Sequence, residues 1–404
     1  MCDDFSFIDS AEFKTFINRY GMADPTTLRL KQFVDLAFDK DLAITQIECR
    51  RKAHKKIPQL ADKLAYPTNV SIEQCTSEVL AEFHSRLFAG CNCVVDLTCG
   101  LGIDSFFISR EAKSVVSVDA SEIVASAARR NMQALGRSNV EVVCDRAEHY
   151  VATLSGDDCS AVFVDPSRRL TNDRTCRTYA IRDTVPDLLT IIPQIESKCR
   201  FMIVKASPMV DISQTVADFS GISEIWVLSV KNECKELLFK IDFPQRQTEP
   251  IVHCINYASS GMVQYDYRHK KDAVGIQEER PTNGKYLLVP NASIMKAGAF
   301  DDVASHFGIS RIAANSHLYV SDSVITSYPG KTFVIDEVLT MSKPDIKRLK
   351  SITTSANIAC RNFPLKPDEL RKKLKIADGG GYYIHATTLA DKSKVLMLCR
   401  LVNA

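Results

Sequence analysis

Residues Val94–Asp119, VVDLTCGLGIDSFFISREAKSVVSVD, decide how this chain folds. An apolar run ends in Asp96, turns through Gly100 and Gly102, continues with helical spacing, and returns as a second apolar run ending in Asp119. The pattern predicts a strand, a tight glycine loop, a helix and a second strand closed by a carboxylate. In a parallel sheet that arrangement opens a nucleotide pocket at the carboxyl edge of the strands. Two glycines separated by one residue let the backbone come close to a ligand, since neither carries a Cβ. A dinucleotide-binding loop adds a third glycine three residues later, and this chain has Ser105 there.

An acid, Asp104, stands at the start of the predicted helix. A carboxylate there repels a pyrophosphate, but it can cap the helix or accept bonds from a cationic or hydroxyl-bearing ligand. Asp96, just before the loop, is placed to meet an ammonium group. Losing phosphate-friendly features and gaining acids suits S-adenosylmethionine, which has no phosphate and carries a positive sulfonium and an amine.

The run D-L-T-C-G-L-G, Asp96 to Gly102, resembles the first motif of class I S-adenosylmethionine-dependent methyltransferases. The resemblance implies that Asp96, Thr98, Gly100, Gly102 and Asp104 belong to the cofactor site. It also implies that Asp119 bonds the ribose hydroxyls and that Asp145, ending V-E-V-V-C-D, lies near the adenine amine. The run A-V-F-V-D-P, Ala161 to Pro166, is similar to the family's catalytic motif, with Asp165 and Pro166 in the catalytic positions. Taken singly, Asp96 and Asp119 read as strand-end caps and the glycines as a turn; four motif positions in order favour the methyltransferase. Family members that methylate exocyclic amines follow the acid or amide with two prolines and an aromatic residue. Asp165-Pro166-Ser167-Arg168 lacks the second proline and the aromatic, which leaves ring nitrogen, carbon and oxygen acceptors open.

The chain of 404 residues is long enough for two or three domains, and 45% hydrophobic with 25% charged residues is ordinary for a globular protein. No apolar stretch has membrane-spanning length, and MCDDFSFIDS begins acidic, unlike a signal peptide. Fourteen cysteines are scattered without a C-x-x-C, so the expectation is reduced thiols in a cytoplasmic protein and no metal site. Net charge is +2, unevenly spread: Lys331–Ala404 holds fourteen Lys and Arg against seven acids, +7, leaving −5 for residues 1–330. A basic tail on a slightly acidic body points to a polyanionic partner, most plausibly nucleic acid.

Residues 1–88 read as a helical region, with F-K-T-F-I-N-R-Y and L-K-Q-F-V-D-L-A-F at helical spacing and a further helix from Ser71 to Phe88, capped at Asn69 or Ser71. Within that helix, Gln74-Cys75-Thr76-Ser77-Glu78 resembles a segment that covers the methionine end of the cofactor in several RNA methyltransferases. Residues 89–245 alternate strands and helices, the pattern of a doubly wound α/β sheet. Strands are expected at Val94–Leu97, Val115–Val118, Val140–Cys144, Ala161–Val164, Phe201–Lys205, Glu224–Val230 and Glu236–Ile241, the last two a hairpin. This is a Rossmann-like seven-stranded methyltransferase sheet. Residues 246–325 read as a small ferredoxin-like α+β insert. Residues 326–404 read as strand, helix, strand, helix, strand, strand, which resembles a THUMP-like RNA-binding module. The whole order resembles a mainly Bacteroidetes family of methyltransferases with a C-terminal THUMP-like domain.

Substrate contacts are expected from Arg168, Arg169, Arg174 and Arg177, with Arg182 close by, because guanidinium groups suit bidentate phosphate contacts and stack on bases. Lys205, at the end of the fifth strand, is expected to face the pocket or to pair with Asp165 or another acid at the sheet end; Tyr179 is a candidate aromatic face. The leading expectation is an S-adenosylmethionine-dependent methyltransferase that modifies a base in rRNA or tRNA. The alternatives are a non-catalytic RNA- or protein-binding module on the same fold, a methyltransferase with a protein or small-molecule acceptor, and, least favoured, a nicotinamide dehydrogenase.

Overall fold

The computed structural model describes residues 5–33, 35–156, 159–168, 181–245, 249–269 and 276–402, and the side chains of Arg168 and Arg182 fall outside the described residues. The apolar runs form β1 (Cys93–Asp96), β2 (Ser114–Asp119), β3 (Val140–Cys144), β4 (Ala161–Val164), β5 (Phe201–Ala206), β6 (Ile222–Val230), β7 (Glu233–Asp242), β8 (Ile251–Ala258) and β9 (Gly261–Arg268). β1 lies in parallel between β2 and β4, with Val94 opposite Val115 and Ala161. All four side chains of β4 are buried, as the interior of a sheet covered on both faces requires.

The strand order is β9-β8-β6-β7-β5-β4-β1-β2-β3, so the expected seven-stranded sheet is corrected to nine. β8 pairs in parallel with β6 over Glu224–Val230, and β9 pairs antiparallel with β8. An open edge of β6 would leave a row of unpaired N–H and C=O groups; β8 takes it up. Residues 251–268 were recognisable as strands, but the alternation of side chains along a strand carries no label for the sheet it joins.

The helical front contains α1 (Ala11–Tyr20), α2 (Pro25–Leu30), α3 (Lys40–Lys56), α4 (Asn69–Gln74) and α5 (Glu78–Arg86). Two expectations are corrected here. The described residues of L-K-Q-F-V-D-L-A-F after Leu30 are not helical: α2 stops at Leu30, Lys31 is extended (ψ 137°), and the Phe33 and Phe38 rings each stand 5.5 Å from Phe16. Ring packing overrides the periodicity. The helix expected from Ser71 to Phe88 is broken, because Cys75 (ψ 153°) and Ser77 (ψ 153°) are extended; Thr68 caps the first piece by accepting from Ser71 N. The break turns Thr76 inward, where it is 4% exposed.

Beyond the glycine loop lie α6 (Ile103–Ile108) and α7 (Glu122–Ala134). Ile103, Phe106 and Phe107 of α6 join Leu60, Leu64 and Tyr66 in one core cluster. Each such side chain contributes about 1.5–3 kcal/mol by leaving water. That packing holds the loop against the sheet.

The chain divides into two units, Met1–Ser223 with Leu238–Thr248, and Glu224–Leu237 with Glu249–Ala404. In the second, β10 (Tyr286–Pro290), β11 (Ser310–Arg311), β12 (Tyr319–Ser321), β13 (Gly330–Leu339), β14 (Asn357–Cys360), β15 (Tyr382–Thr388) and β16 (Lys394–Leu401) form a sheet ordered β11-β12-β10-β13-β16-β15-β14. Helices Lys343–Ile352 and Pro367–Leu374 bury Leu349, Leu370 and Leu374 with Ile384 and Ala386 of β15. Among the described residues, no helix is long and apolar enough to cross a membrane.

Candidate active site

A cavity of about 720 Å³ opens where the sequence pattern places it, at the carboxyl ends of β1, β2 and β4. Its floor is the glycine loop. Gly100 and Gly102 have φ of +55° and +79°, a region that side chains strain to occupy. A Cβ on Gly100 would meet nothing within 4 Å, whereas one on Gly102 would lie 2.5 Å from Met132 Cε. Gly100 therefore keeps space open and Gly102 permits close packing on α7.

Asp119 ends β2 and lines the cavity, accepting Gly100 N–H at 3.0 Å and Ser121 N–H at 2.9 Å. Burial raises its carboxyl above the ordinary value, and the two backbone donors act against that. Asp96 behaves differently. It is fully buried, accepts Thr98 N–H at 3.0 Å and Ser105 Oγ–H at 2.6 Å, and does not line the cavity. Burial pushes its carboxyl up to about 7. Its contacts brace the loop from beneath.

A chain of five side chains includes three that line the cavity, Thr76, Asp104 and Asp165, and two behind them, His84 and Lys205. His84 Nδ1 lies 2.7 Å from Asp104 Oδ1, and Thr76 Oγ1 donates to Asp104 Oδ2 at 2.6 Å. Lys205 Nζ donates to Thr76 Oγ1 at 2.8 Å and to Asp165 Oδ2 at 2.6 Å. Burial alone would raise Asp104, but the His84 bond, the Lys205 charge and the Thr76 hydroxyl bring its carboxyl down to about 2. The backbone N–H of Asp165 donates to Thr98 Oγ1 at 2.7 Å, which ties the end of β4 to the glycine loop.

The structure thus gathers Thr98, Gly100, Asp104, Asp119 and Asp165 around one cavity. Lys205 reaches the group from β5 as an ion-pair partner of Asp165, 8% exposed. Gly102 and Asp145 do not line the cavity; Asp145 pairs with His149 at 2.6 Å, while its neighbours Arg146, Ala147 and Glu148 do line it. Pro166 follows Asp165 without joining the lining. The backbone of Ser167–Arg168 pairs with Thr184–Val185. Arg169, Arg174, Arg177 and Tyr179 lie outside the described residues. Two residues escaped sequence reasoning: Thr76 as a central hydroxyl, and His84. His84 shares the buried stripe of α5 with Leu80, Ala81 and Ser85, and an imidazole in an apolar stripe is the signal that could have exposed it.

Chemically the lining is acidic. Among the described residues Arg146 is its one Lys or Arg, against Asp104, Asp119, Glu148 and Asp165. Such a wall opposes a pyrophosphate and favours a cationic or hydroxyl-rich ligand.

Three family models match the chain: "Conserved hypothetical protein 95" over residues 51–179, a ferredoxin-like domain over 286–329 and a THUMP domain-like model over 330–401. No curated protein matches. A crystal structure of a Porphyromonas gingivalis W83 protein designated a methyltransferase is 30% identical over 100% of both chains, with a TM-score of 0.90. M. capricolum TrmK bound to S-adenosylhomocysteine is 10% identical over 42% of this chain and 70% of that one, with a TM-score of 0.33. An rRNA methylase from Streptococcus thermophilus is 16% identical over 41% of this chain and 96% of that one, with a TM-score of 0.31. Identity and fold shared along the full length of the Porphyromonas protein show that this chain belongs to its methyltransferase family, in which a methyltransferase body is followed by ferredoxin-like and THUMP-like domains.

Proposed function

We propose that the chain is an S-adenosylmethionine-dependent methyltransferase that modifies a base in rRNA or tRNA. One observation carries this reading: the open glycine loop, the ribose-side acid Asp119 and the β4 acid Asp165 meet in a single acidic cavity. The volume of about 720 Å³ lies within the range of pockets that take a drug-sized ligand. The residues fit the cofactor's chemistry. Asp119 suits ribose hydroxyls, and Asp104, ionised deep in the hydrogen-bonded chain, suits the ammonium of the methionine end.

The cofactor supplies a methyl group on an activated sulfonium; the protein has to align the acceptor and receive any proton it releases. Asp165 is the group placed for that. Its ion pair with Lys205 fixes the carboxylate's orientation. Support for RNA as the acceptor comes from the basic tail. Lys347, Lys350, Lys372 and Lys373 are exposed on the two helices whose Leu349, Leu370 and Leu374 are buried. Three nearby arginines are already held by acids: Arg348 by Glu337, Arg371 by Asp378 and Arg400 by Asp336. The lysines are therefore the cations presented to a phosphate backbone.

The test is transfer of radiolabelled methyl groups from S-adenosylmethionine into size-fractionated RNA from cells lacking the gene, with Asp165→Ala as control. Label in one RNA fraction, lost in the variant, supports the reading. No label in any RNA while the cofactor still binds refutes the RNA acceptor and leaves a protein or small-molecule acceptor, or a binding module.

A further inference from the structure

The N-terminal helices and α7 line a second, open cavity, of about 550 Å³, which shares no lining residue with the first. Buried Ile8 and Phe13 form its apolar side, and its polar side is dominated by cations. Lys14, Arg50, Lys63 and Arg130 line it against two carboxylates, Asp9 and Asp62, an excess of two positive charges.

The two arginines are in different states. Arg130 is satisfied: it bonds the Asp9 carboxylate at 2.6 and 3.2 Å and the Lys63 carbonyl. Arg50 is not. Its guanidinium lies 5.6 Å above the Phe13 ring, and its Nε is buried without a hydrogen-bond partner among the described residues. Burial holds the guanidinium below its usual range; Asp62 and Tyr66 oppose the shift and the like charge of Arg130 adds to it. Two guanidinium groups lining one cavity repel each other, and an anion between them offsets that cost.

We propose that this cavity binds a phosphomonoester, with Arg50 as the anchoring donor and Lys14, Lys63 and Arg130 setting the field around it. The match is in charge and in geometry. A phosphomonoester carries about −1.5 to −2 at neutral pH and offers three strong acceptor oxygens. The planar guanidinium suits a bidentate contact with two of those oxygens, and the lysine ammonium groups can meet the third as point charges. The volume accommodates a nucleotide-sized ligand. Two sources supply the same group: a free nucleotide, or the phosphorylated end of an RNA. The inference stands on the N-terminal helices and does not depend on methyl transfer.

Calorimetry on the full chain tests it with three probes: AMP, a short RNA bearing a 5′-phosphate, and the same RNA with a 5′-hydroxyl. Binding of a phosphorylated probe is expected to weaken about tenfold or more in Arg50→Gln, the loss of a charge-assisted donor. Lys63→Glu, at an exposed position, is expected to weaken it as well, and it keeps the test decisive where Arg50→Gln compromises folding. S-adenosylmethionine affinity, which reads the first cavity, stays unchanged in both variants. Binding of AMP with no preference between the two RNAs assigns a free nucleotide; preference for the 5′-phosphate RNA, lost in both variants, assigns an RNA end. Failure of both phosphorylated probes to bind, or wild-type binding in both variants, overturns the proposal, whatever the outcome of the methyl-transfer assay.

Discussion

Thr76→Val should show that the chain of five side chains at the cavity acts as one hydrogen-bonded unit. Thr76 is 4% exposed, donates to Asp104 at 2.6 Å and accepts from Lys205 at 2.8 Å. Valine keeps the branched shape and removes only the hydroxyl, so the lost bonds dominate the effect. A hydrogen bond to a charged group contributes about 1.5–3 kcal/mol. Asp104 keeps His84 at 2.7 Å and Lys205 keeps Asp165 at 2.6 Å, so the low end applies to each, giving about 3 kcal/mol together. The unit containing the site spans Met1–Ser223 and Leu238–Thr248. For about 230 residues the unfolding entropy is about 0.5 kcal/mol/K, so the melting temperature should fall by about 6 °C. Differential scanning calorimetry on the full chain reads this shift, with Thr76→Ser, which retains the hydroxyl, expected to lose far less. A valine variant melting within about 1 °C of wild type, or a serine variant as unstable as the valine one, would refute the bridge.

If Asp119 accepts the ligand's hydroxyls as proposed, Asp119→Ala should weaken S-adenosylmethionine binding by about tenfold or more; unchanged calorimetric affinity would remove Asp119 from the cofactor site. Asp104 has a folded carboxyl at about 2 against an ordinary 3.8. Since the folded value is depressed, its contribution of about 2 kcal/mol is present above about pH 4 and is lost as pH falls toward 2. Asp104→Asn should flatten the melting-temperature profile across that window, and profiles that stay parallel to wild type would contradict the assignment. Gly100→Ala and Gly102→Ala should separate cleanly. Both strain a positive φ at about 1 kcal/mol, but only Gly102→Ala adds a collision with Met132, whereas the Gly100 methyl enters open cavity and should chiefly cost cofactor affinity. Equal melting temperatures with equal affinities would contradict that division.

The glycine loop, Asp119 and the Asp165-Pro166 turn were legible because their information is local. Each is a strand end followed by a turn, and the residues that define it are neighbours in the chain. The same holds for the final strand–helix–strand–helix–strand–strand block, which a family model independently matches over residues 330–401. Legibility ended where a residue's state depends on distant partners. Asp96 looks like a pocket acid in sequence, yet Ser105 and Thr98 claim it and the cavity wall excludes it. Asp145 has the spacing of an adenine-side acid, yet His149, one helical turn on, takes its carboxylate. Lys205 could be foreseen as a partner for Asp165, but not as a bridge to Thr76, because the break at Cys75–Ser77 leaves no trace in the helical periodicity around it.

By itself the sequence determined that a parallel sheet would present an open, acidic glycine loop at its carboxyl edge and that basic α+β elements would follow. Periodicity, glycine placement and charge sign are properties of short segments, and they survive without any knowledge of what packs on what. Only the tertiary structure decided that the sheet would take nine strands, that a break between two helices would carry Thr76 between Asp104 and Lys205, and that Arg50 Nε would be buried without an acceptor among the described residues. Those outcomes depend on which edges, hydroxyls and charges are brought within hydrogen-bond reach from far apart in the chain. Desolvation then fixes their cost, and desolvation belongs to the packed molecule rather than to any segment of it.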